Sequence, residues 1–241
     1  MVSVAVAGVR GRMGSIARAV LADAPDVEYA GGLVRALEPD GGEALYDDAR
    51  ALFDERKPDV LLDLTTYPAT VEISLAAIRC GVRPVIGATG WSDFDRATLA
   101  QECDEHRVGA MLIPNFSVGA ALMMRFAAQA GRFFPTAEIV ELHHDDKKDK
   151  PSGTAQLTAQ RIAAAGYGRA VPIHSVRLRG LVAHQEVLFG GDGETLTIRH
   201  DTFSRESFAA GMLAAVRGVG RFDRLVIGID AVLLAEEEPS A

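Results

Sequence analysis

The chain has 241 residues, 48% of them hydrophobic and 24% charged, an ordinary balance for a globular protein of one or two domains. A formal net charge of −8 argues against a nucleic-acid partner, whose phosphates want a basic face, while leaving room for a local basic pocket, and no apolar stretch is long enough to span a bilayer. The first residues lack the layout of a secretion signal, so a cytoplasmic protein is expected, and Cys80 and Cys103, which form no metal-ligand spacing, read as reduced, buried thiols.

Residues 2–7 (VSVAVA) are small and β-branched, the pattern of a buried parallel strand. Gly8, Gly11 and Gly14 follow at once, and apolar spacing over 15–24 reads as a helix. Strand, glycine turn and helix in succession are the context of a dinucleotide fingerprint, here spaced G-x-x-G-x-x-G. Gly8 would make the tight turn, Gly11 would admit a pyrophosphate and Gly14 would let helix and strand pack closely. A structural turn without a ligand is the competing reading.

Residues 27–34 read as the second strand. An acid at its tip would hold the ribose hydroxyls of NAD, whereas an arginine can take the 2′-phosphate of NADP. Val34-Arg35 stands there, with Glu38 further on, which favours NADPH or use of both nucleotides; a solvated Arg35 is the alternative. Gly41-Gly42 mark a loop, 44–55 has helical spacing and 60–64 (VLLDL) reads as a buried strand. Helices over 69–80 and from Ser92 toward His106 alternate with strands at 84–86 and 108–113. This alternation predicts an α/β doubly wound parallel sheet with ligands at the carboxyl ends of its strands.

After Ser117 the pattern changes. Residues 118–134 read as one apolar helix stopped by Pro135, and 137–142 as a strand. Then comes ELHHDDKKDKPSGTA, residues 141–155, leading into a helix over 152–165 that Ser152 or Thr154 would cap. A helix start offers backbone N–H groups and partial positive charge to an anion. With protonatable and cationic side chains just before it, the segment suits a carboxylated substrate and a proton source. Lys148 and Lys150 read as solvated charges, Asp145 and Asp146 as surface acids, and Asp149 as a loop tether. Ligands as close in sequence as His143, His144, Asp145 and Asp146 do not easily converge on one ion, so no metal is expected. No G-x-S-x-G elbow supports a hydrolase. Strands over 176–188 and 194–200, a turn at 190–193, a helix over 207–219, an apolar segment at 225–234 and a charged tail at 236–239 complete an α+β half.

The stretches GxxGRMG from Gly8, GATG from Gly87, NFSVG from Asn115 and above all HHxxKxDxPSGTA from His143 to Ala155 resemble the dihydrodipicolinate reductase family. They stand in the right order over nearly the whole chain, and His200-x-x-x-Ser204-Arg205-x-x-Phe208-x-x-Gly211 is similar to the family's C-terminal region. The resemblance implies a Rossmann-type dinucleotide domain (1–117), an α+β substrate-binding and tetramerisation domain (118–205), and a segment (206–241) returning to the first. It implies reduction of 4-hydroxy-tetrahydrodipicolinate, a cyclic dicarboxylate of lysine and diaminopimelate synthesis, with hydride from NADPH and/or NADH.

On this resemblance His143 and Lys147 are the acid/base and proton-donating residues, and His144, Ser152, Gly153 and Thr154 contact substrate. Arg205 either binds a carboxylate or braces the joint between domains. Gly8, Val9, Arg10, Gly11, Arg12 and Met13 form the pyrophosphate turn, and Arg35 lies at the ribose end. Gly87, Ala88, Thr89, Ile113, Pro114, Asn115 and Phe116 hold the nicotinamide side. Val34 departs from an acid frequent in relatives and Ala88 from a frequent threonine; Arg10 and Pro114 stand where small residues are common. A dinucleotide-sensing protein without turnover, or a related amino-acid or imine reductase such as an aspartate dehydrogenase, are the other readings.

Overall fold

The structure is a computed structural model that describes residues 1–37 and 44–233; Glu38, the Gly41-Gly42 loop, Leu234 and the tail at 236–239 lie outside them. By its contacts the chain divides into two units, Met1–Phe116 with Phe208–Ala241, and Ser117–Ser207. The first opens with β1 (Val2–Ala7), α1 (Arg12–Ala22), β2 (Val27–Leu33), β3 (Leu45–Tyr46), α2 (Ala49–Arg56), β4 (Val60–Asp63), α3 (Ala69–Arg79), β5 (Arg83–Ile86), α4 (Asp93–His106) and β6 (Ala110–Leu112). The second carries α5 (Val118–Ala130), β7 (Thr136–His143), α6 (Gly153–Ile162), β8 (Ile173–Arg177), β9 (Ala183–Gly191) and β10 (Glu194–Thr202). The chain then returns to the first unit through α7 (Ala209–Gly218), β11 (Leu225–Ile227) and α8 (Asp230–Leu233). Among the described residues no helix is long and apolar enough to cross a membrane.

The first unit is built on a parallel sheet in the order β11-β6-β5-β4-β1-β2-β3. Strand order reverses between β1 and β4, which opens a crevice at their carboxyl ends. Val4 to Ala7 and Val60 to Asp63 are all buried, which explains their unbroken apolar runs: helices cover both faces. Gly14 serves the close packing its position suggests, since a β-carbon there would come within 2.6 Å of Val9 O. The returning segment supplies edge strand β11, paired with β6, and α7, whose Arg217 grips Asp26 with nitrogen–oxygen distances of 2.6 and 2.8 Å.

Two expectations for this unit need correction. The helix over 44–55 begins only at Ala49, because Leu45–Tyr46 adds an edge strand to Gly32–Leu33 and Asp48 caps α2 by accepting from Ala51 N–H at 2.7 Å. Of the two thiols, Cys103 is fully buried but Cys80 only partly.

The second unit is a mixed sheet, β10-β9-β7-β8, with α5 and α6 on one face. Ala137 and Ile139 on β7 and Val187 and Phe189 on β9 point to that face and bury against Met123, Met124, Ala127, Ala155 and Ile162. The strand expected over 176–188 is two strands on opposite sides of β7, one parallel and one antiparallel to it, so the chain must turn between them, with Gly180 at φ +88°. Helix α5 stops at Ala130, short of 134, and Phe134 leaves it to pack on Phe189, ring centroids 5.7 Å apart. Helix α6 ends at Ile162 and widens into a π turn, Ala163–Tyr167.

Candidate functional site

In the first unit the strand ends gather the residues singled out for a nucleotide. Gly8 turns the chain at φ +74°, and a β-carbon there would stand 2.9 Å from Leu64 O. Gly11 precedes α1, whose first turn holds no acid and receives no side-chain cap. Val9 is buried beneath this turn, Met13 is half-buried, and Arg10 and Arg12 are exposed on it. Gly8, Arg10, Gly11, Val34 and Arg35 line one cleft of about 650 Å³, together with Thr65, Thr66 and Asp47.

Ile113 N–H donates to Ile86 O at 2.8 Å, and Gly87 N–H to Asp63 O at 2.8 Å, so adjoining strand ends are tied to one another. Ala88, Ile113 and Phe116 are buried; Asn115 is half-buried, and Thr89 and Pro114 are exposed. Asp63 was not singled out by sequence, yet it organises this edge. Its carboxylate accepts from Thr65 N–H (2.9 Å), Thr65 Oγ1 (2.6 Å) and Thr70 Oγ1 (2.8 Å). Burial pushes its pKa up despite these bonds. The aspartate interrupting VLLDL was the available signal. An uncapped helix start, a glycine that admits no side chain and flanking arginines fit a dinucleotide pyrophosphate.

In the second unit β7 delivers His143 at its last position and the following loop delivers Lys147. His143 Nδ1 bonds Glu141 Oε2. Burial pulls the imidazole pKa below its ordinary value, and Lys147 and Arg177 push the same way against the pull of Glu141. Lys147 Nζ pairs with Asp149 Oδ1 at 2.8 Å; burial of Asp149 is outweighed by that lysine, which leaves its carboxyl below the usual range. Ser152 caps α6, its Oγ accepting from Ala155 N–H at 3.2 Å. Gly153 and Thr154 open the helix, and a β-carbon on Gly153 would meet nothing within 4 Å.

The expectation that Asp149 tethers the loop extends to its carbonyl, which takes Arg177 Nη2 at 2.6 Å. His144 follows the strand end half-buried, tied to the loop through its carbonyl, which accepts from Lys147 N–H at 3.2 Å. Arg205 opens a 3₁₀ turn, exposed and outside the hydrogen-bonded cluster around His143. His200 Nε2 lies 3.1 Å from Ser117 Oγ. Sequence reasoning missed Glu141 and Arg177 as members of this cluster. Among the described residues no group of three or more His, Cys, Asp or Glu is placed to hold a metal.

Known proteins carry the same organisation. Residues 2–116 match the dihydrodipicolinate reductase N-terminus and residues 119–233 its C-terminus. The 4-hydroxy-tetrahydrodipicolinate reductase of Geobacillus kaustophilus is 45% identical over 262 aligned positions, covering 96% of this chain and 99% of that protein. The dipicolinate-bound dihydrodipicolinate reductase of Paenisporosarcina sp. TG-14 superposes with a TM-score of 0.87 at 35% identity, over 97% of this chain and 99% of that one. An amine dehydrogenase from Mycobacterium smegmatis shares the fold alone, with a TM-score of 0.67 at 15% identity over 90% of this chain and 92% of that one. With both halves matched and the likeness running through nearly the full length, the chain belongs to the dihydrodipicolinate reductase family.

Proposed function

We infer that the chain is a 4-hydroxy-tetrahydrodipicolinate reductase of lysine and diaminopimelate synthesis that uses NADH or NADPH. The observation that carries this reading is the 45% identity over 96% of the chain to a reductase of that activity. In the first unit, the start of α1 with Arg10 and Arg12 holds the pyrophosphate, because a helix start without a side-chain cap or an acid in its first turn favours negative charge there. Arg35, lining the same cleft, takes the 2′-phosphate of NADPH, while Val34 presents no carboxylate to oppose it. The loops at Gly87 to Thr89 and Ile113 to Phe116 flank the nicotinamide end. NADH or NADPH held there supplies the hydride.

In the second unit, Lys147 and His143 deliver the proton. The opening of α6 at Ser152, Gly153 and Thr154, with His144, holds one substrate carboxylate, and the exposed Arg205 serves the other. The dipicolinate bound by the Paenisporosarcina relative supports a ring dicarboxylate as the ligand class. A homotetramer is favoured by the outer face of the second unit's sheet, where Val140, Leu142, Val176 and Leu188 stand half-buried on the side opposite α5 and α6. We place the enzyme in the cytoplasm with its pathway.

The test is loss of reduced-nicotinamide absorbance with freshly generated substrate, and its inhibition by pyridine-2,6-dicarboxylate. NADPH binding without oxidation would mean a sensor; oxidation insensitive to the dicarboxylate would mean a different imine reductase. His143→Gln and Lys147→Ala are expected to lower turnover by ~10²–10⁴-fold, the usual worth of a proton-transfer group, with NADPH affinity kept. Equal losses of NADPH binding would contradict the assignment.

A further inference from the structure

Along β7 the residues facing the helices are Ala137, Ile139, Glu141 and His143, so a carboxylate continues a row of core side chains. Glu141 is fully buried, and an unpaired carboxylate in such a place is strongly disfavoured. Its partner is Arg177, brought alongside by the β7–β8 pairing in which His143 and Arg177 are opposite residues. The guanidinium is bidentate, with Nη2 on Oε1 at 2.8 Å and Nη1 on Oε2 at 2.9 Å.

The remaining donors of Arg177 are also occupied. Nε donates to Lys147 O at 3.2 Å, Nη1 to Val176 O at 2.7 Å, and Nη2 to Asp149 O at 2.6 Å. A guanidinium has five N–H groups and all are used, which leaves Arg177 none for a substrate carboxylate. The acceptor side is as full: Glu141 Oε2 also takes His143 Nδ1, and Oε1 takes Ser152 N–H at 3.3 Å. One buried ion pair therefore bonds the histidine, the carbonyls on either side of Lys148, and the cap residue of α6.

We propose that Glu141 and Arg177 are positioning residues that lock His143 in the tautomer protonated at Nδ1, offering Nε2 to the reaction, and anchor the Lys147 loop to the start of α6. An ionised carboxylate accepts and cannot donate, so the nitrogen facing it must carry the hydrogen. Arg177 keeps Glu141 ionised: burial alone would raise the Glu141 pKa, but hydrogen bonds from Arg177, Ser175 and His143 hold it below its ordinary value. Arg177 also prevents the carboxylate from repelling an anionic substrate. The proposal rests on the reading of His143 as an acid/base residue.

Glu141→Gln keeps the shape but lets the amide donate to Nδ1, which permits the wrong tautomer. We expect kcat to fall by ~10²-fold or more with KM for NADPH and substrate little changed, and the His143 limb of the pH–rate profile to move to lower pH once the negative charge is gone, with Lys147 and Arg177 still facing the ring. In a His143→Gln background the Glu141→Gln loss should shrink to the part carried by the Lys147 loop anchor; an equal loss in both backgrounds would reduce Glu141 to a structural role and overturn the proposal. A fully active His143→Gln enzyme would instead sink the underlying reading. Should Glu141→Gln fail to fold, two-bond ¹H–¹⁵N correlation on the wild-type enzyme with ¹⁵N-labelled histidine decides: Nδ1–H at His143 supports the proposal, and Nε2–H in the neutral ring refutes it.

Discussion

Gly87 packs against the ring of Phe116: a β-carbon on it would stand 2.8 Å from Phe116 Cε2 and 3.0 Å from Leu64 Cδ2. Phe116 is itself buried, so the ring has little room to yield. Gly87→Ala should therefore displace the loop that we assign to the nicotinamide side, at ~1–3 kcal/mol of stability, the usual cost of overpacking. Urea unfolding and NADPH titration check it together, and an unchanged NADPH affinity despite lost stability would remove these loops from the cofactor site.

Gly8 and Gly81 separate strain from contact. Both hold positive φ, +74° and +77°, but a β-carbon on Gly81 meets nothing within 4 Å whereas one on Gly8 is 2.9 Å from Leu64 O. Gly81→Ala should cost ~1 kcal/mol from the backbone alone. Gly8→Ala should cost more and also weaken NADPH binding. Titration of both variants distinguishes the two effects; intact NADPH binding by Gly8→Ala would contradict the pyrophosphate assignment.

Arg35→Ala should weaken NADPH roughly tenfold or more, the worth of one charge-assisted hydrogen bond, and leave NADH nearly unchanged. Dissociation constants for the two nucleotides measured side by side settle it. An equal change in both would mean that Arg35 does not read the 2′-phosphate.

Acid should destabilise the fold in two stages. The imidazole of His143 binds its proton less readily in the fold than its ordinary 6.5, so the unfolded chain takes up more protons as pH drops below that value and stability falls. The carboxyl of Glu141 is likewise lowered, and its contribution, complete above the ordinary 4.5, is lost as pH falls through its folded value. Melting temperature against pH should decline in both windows; His200, whose pKa burial also lowers, adds to the upper one, so His143→Gln should shrink that decline without abolishing it. An upper decline that His143→Gln leaves at full size would assign it to His200 instead.

The parallel half of the fold is legible in sequence because strands buried on both faces are written as unbroken apolar runs, and because a turn such as Gly8 tolerates no other residue. The two-residue strand at Leu45–Tyr46 is invisible for the opposite reason: two residues carry no alternation, and its existence depends on the edge that β2 offers. Side-chain periodicity also says nothing of chain direction, so β8 and β9 merged into one expected strand. In the candidate site, His143, Lys147 and Ser152 lie close in sequence, so one local stretch brings them to notice together. The Glu141–Arg177 pair spans 36 residues and exists only through the register of β7 on β8, which no local pattern encodes.

The nucleotide-binding sheet takes its last strand from the end of the chain: β11 is made after the whole second unit, and until it docks, β6 has an open hydrogen-bonding edge. A nascent polypeptide therefore leaves the ribosome tunnel with an unfinished, adhesive rim from the making of β6 until β11 emerges, about half of its synthesis. Premature stop codons a few dozen residues from the terminus should consequently yield material prone to clumping rather than a shortened working enzyme, and quality-control proteases should clear it.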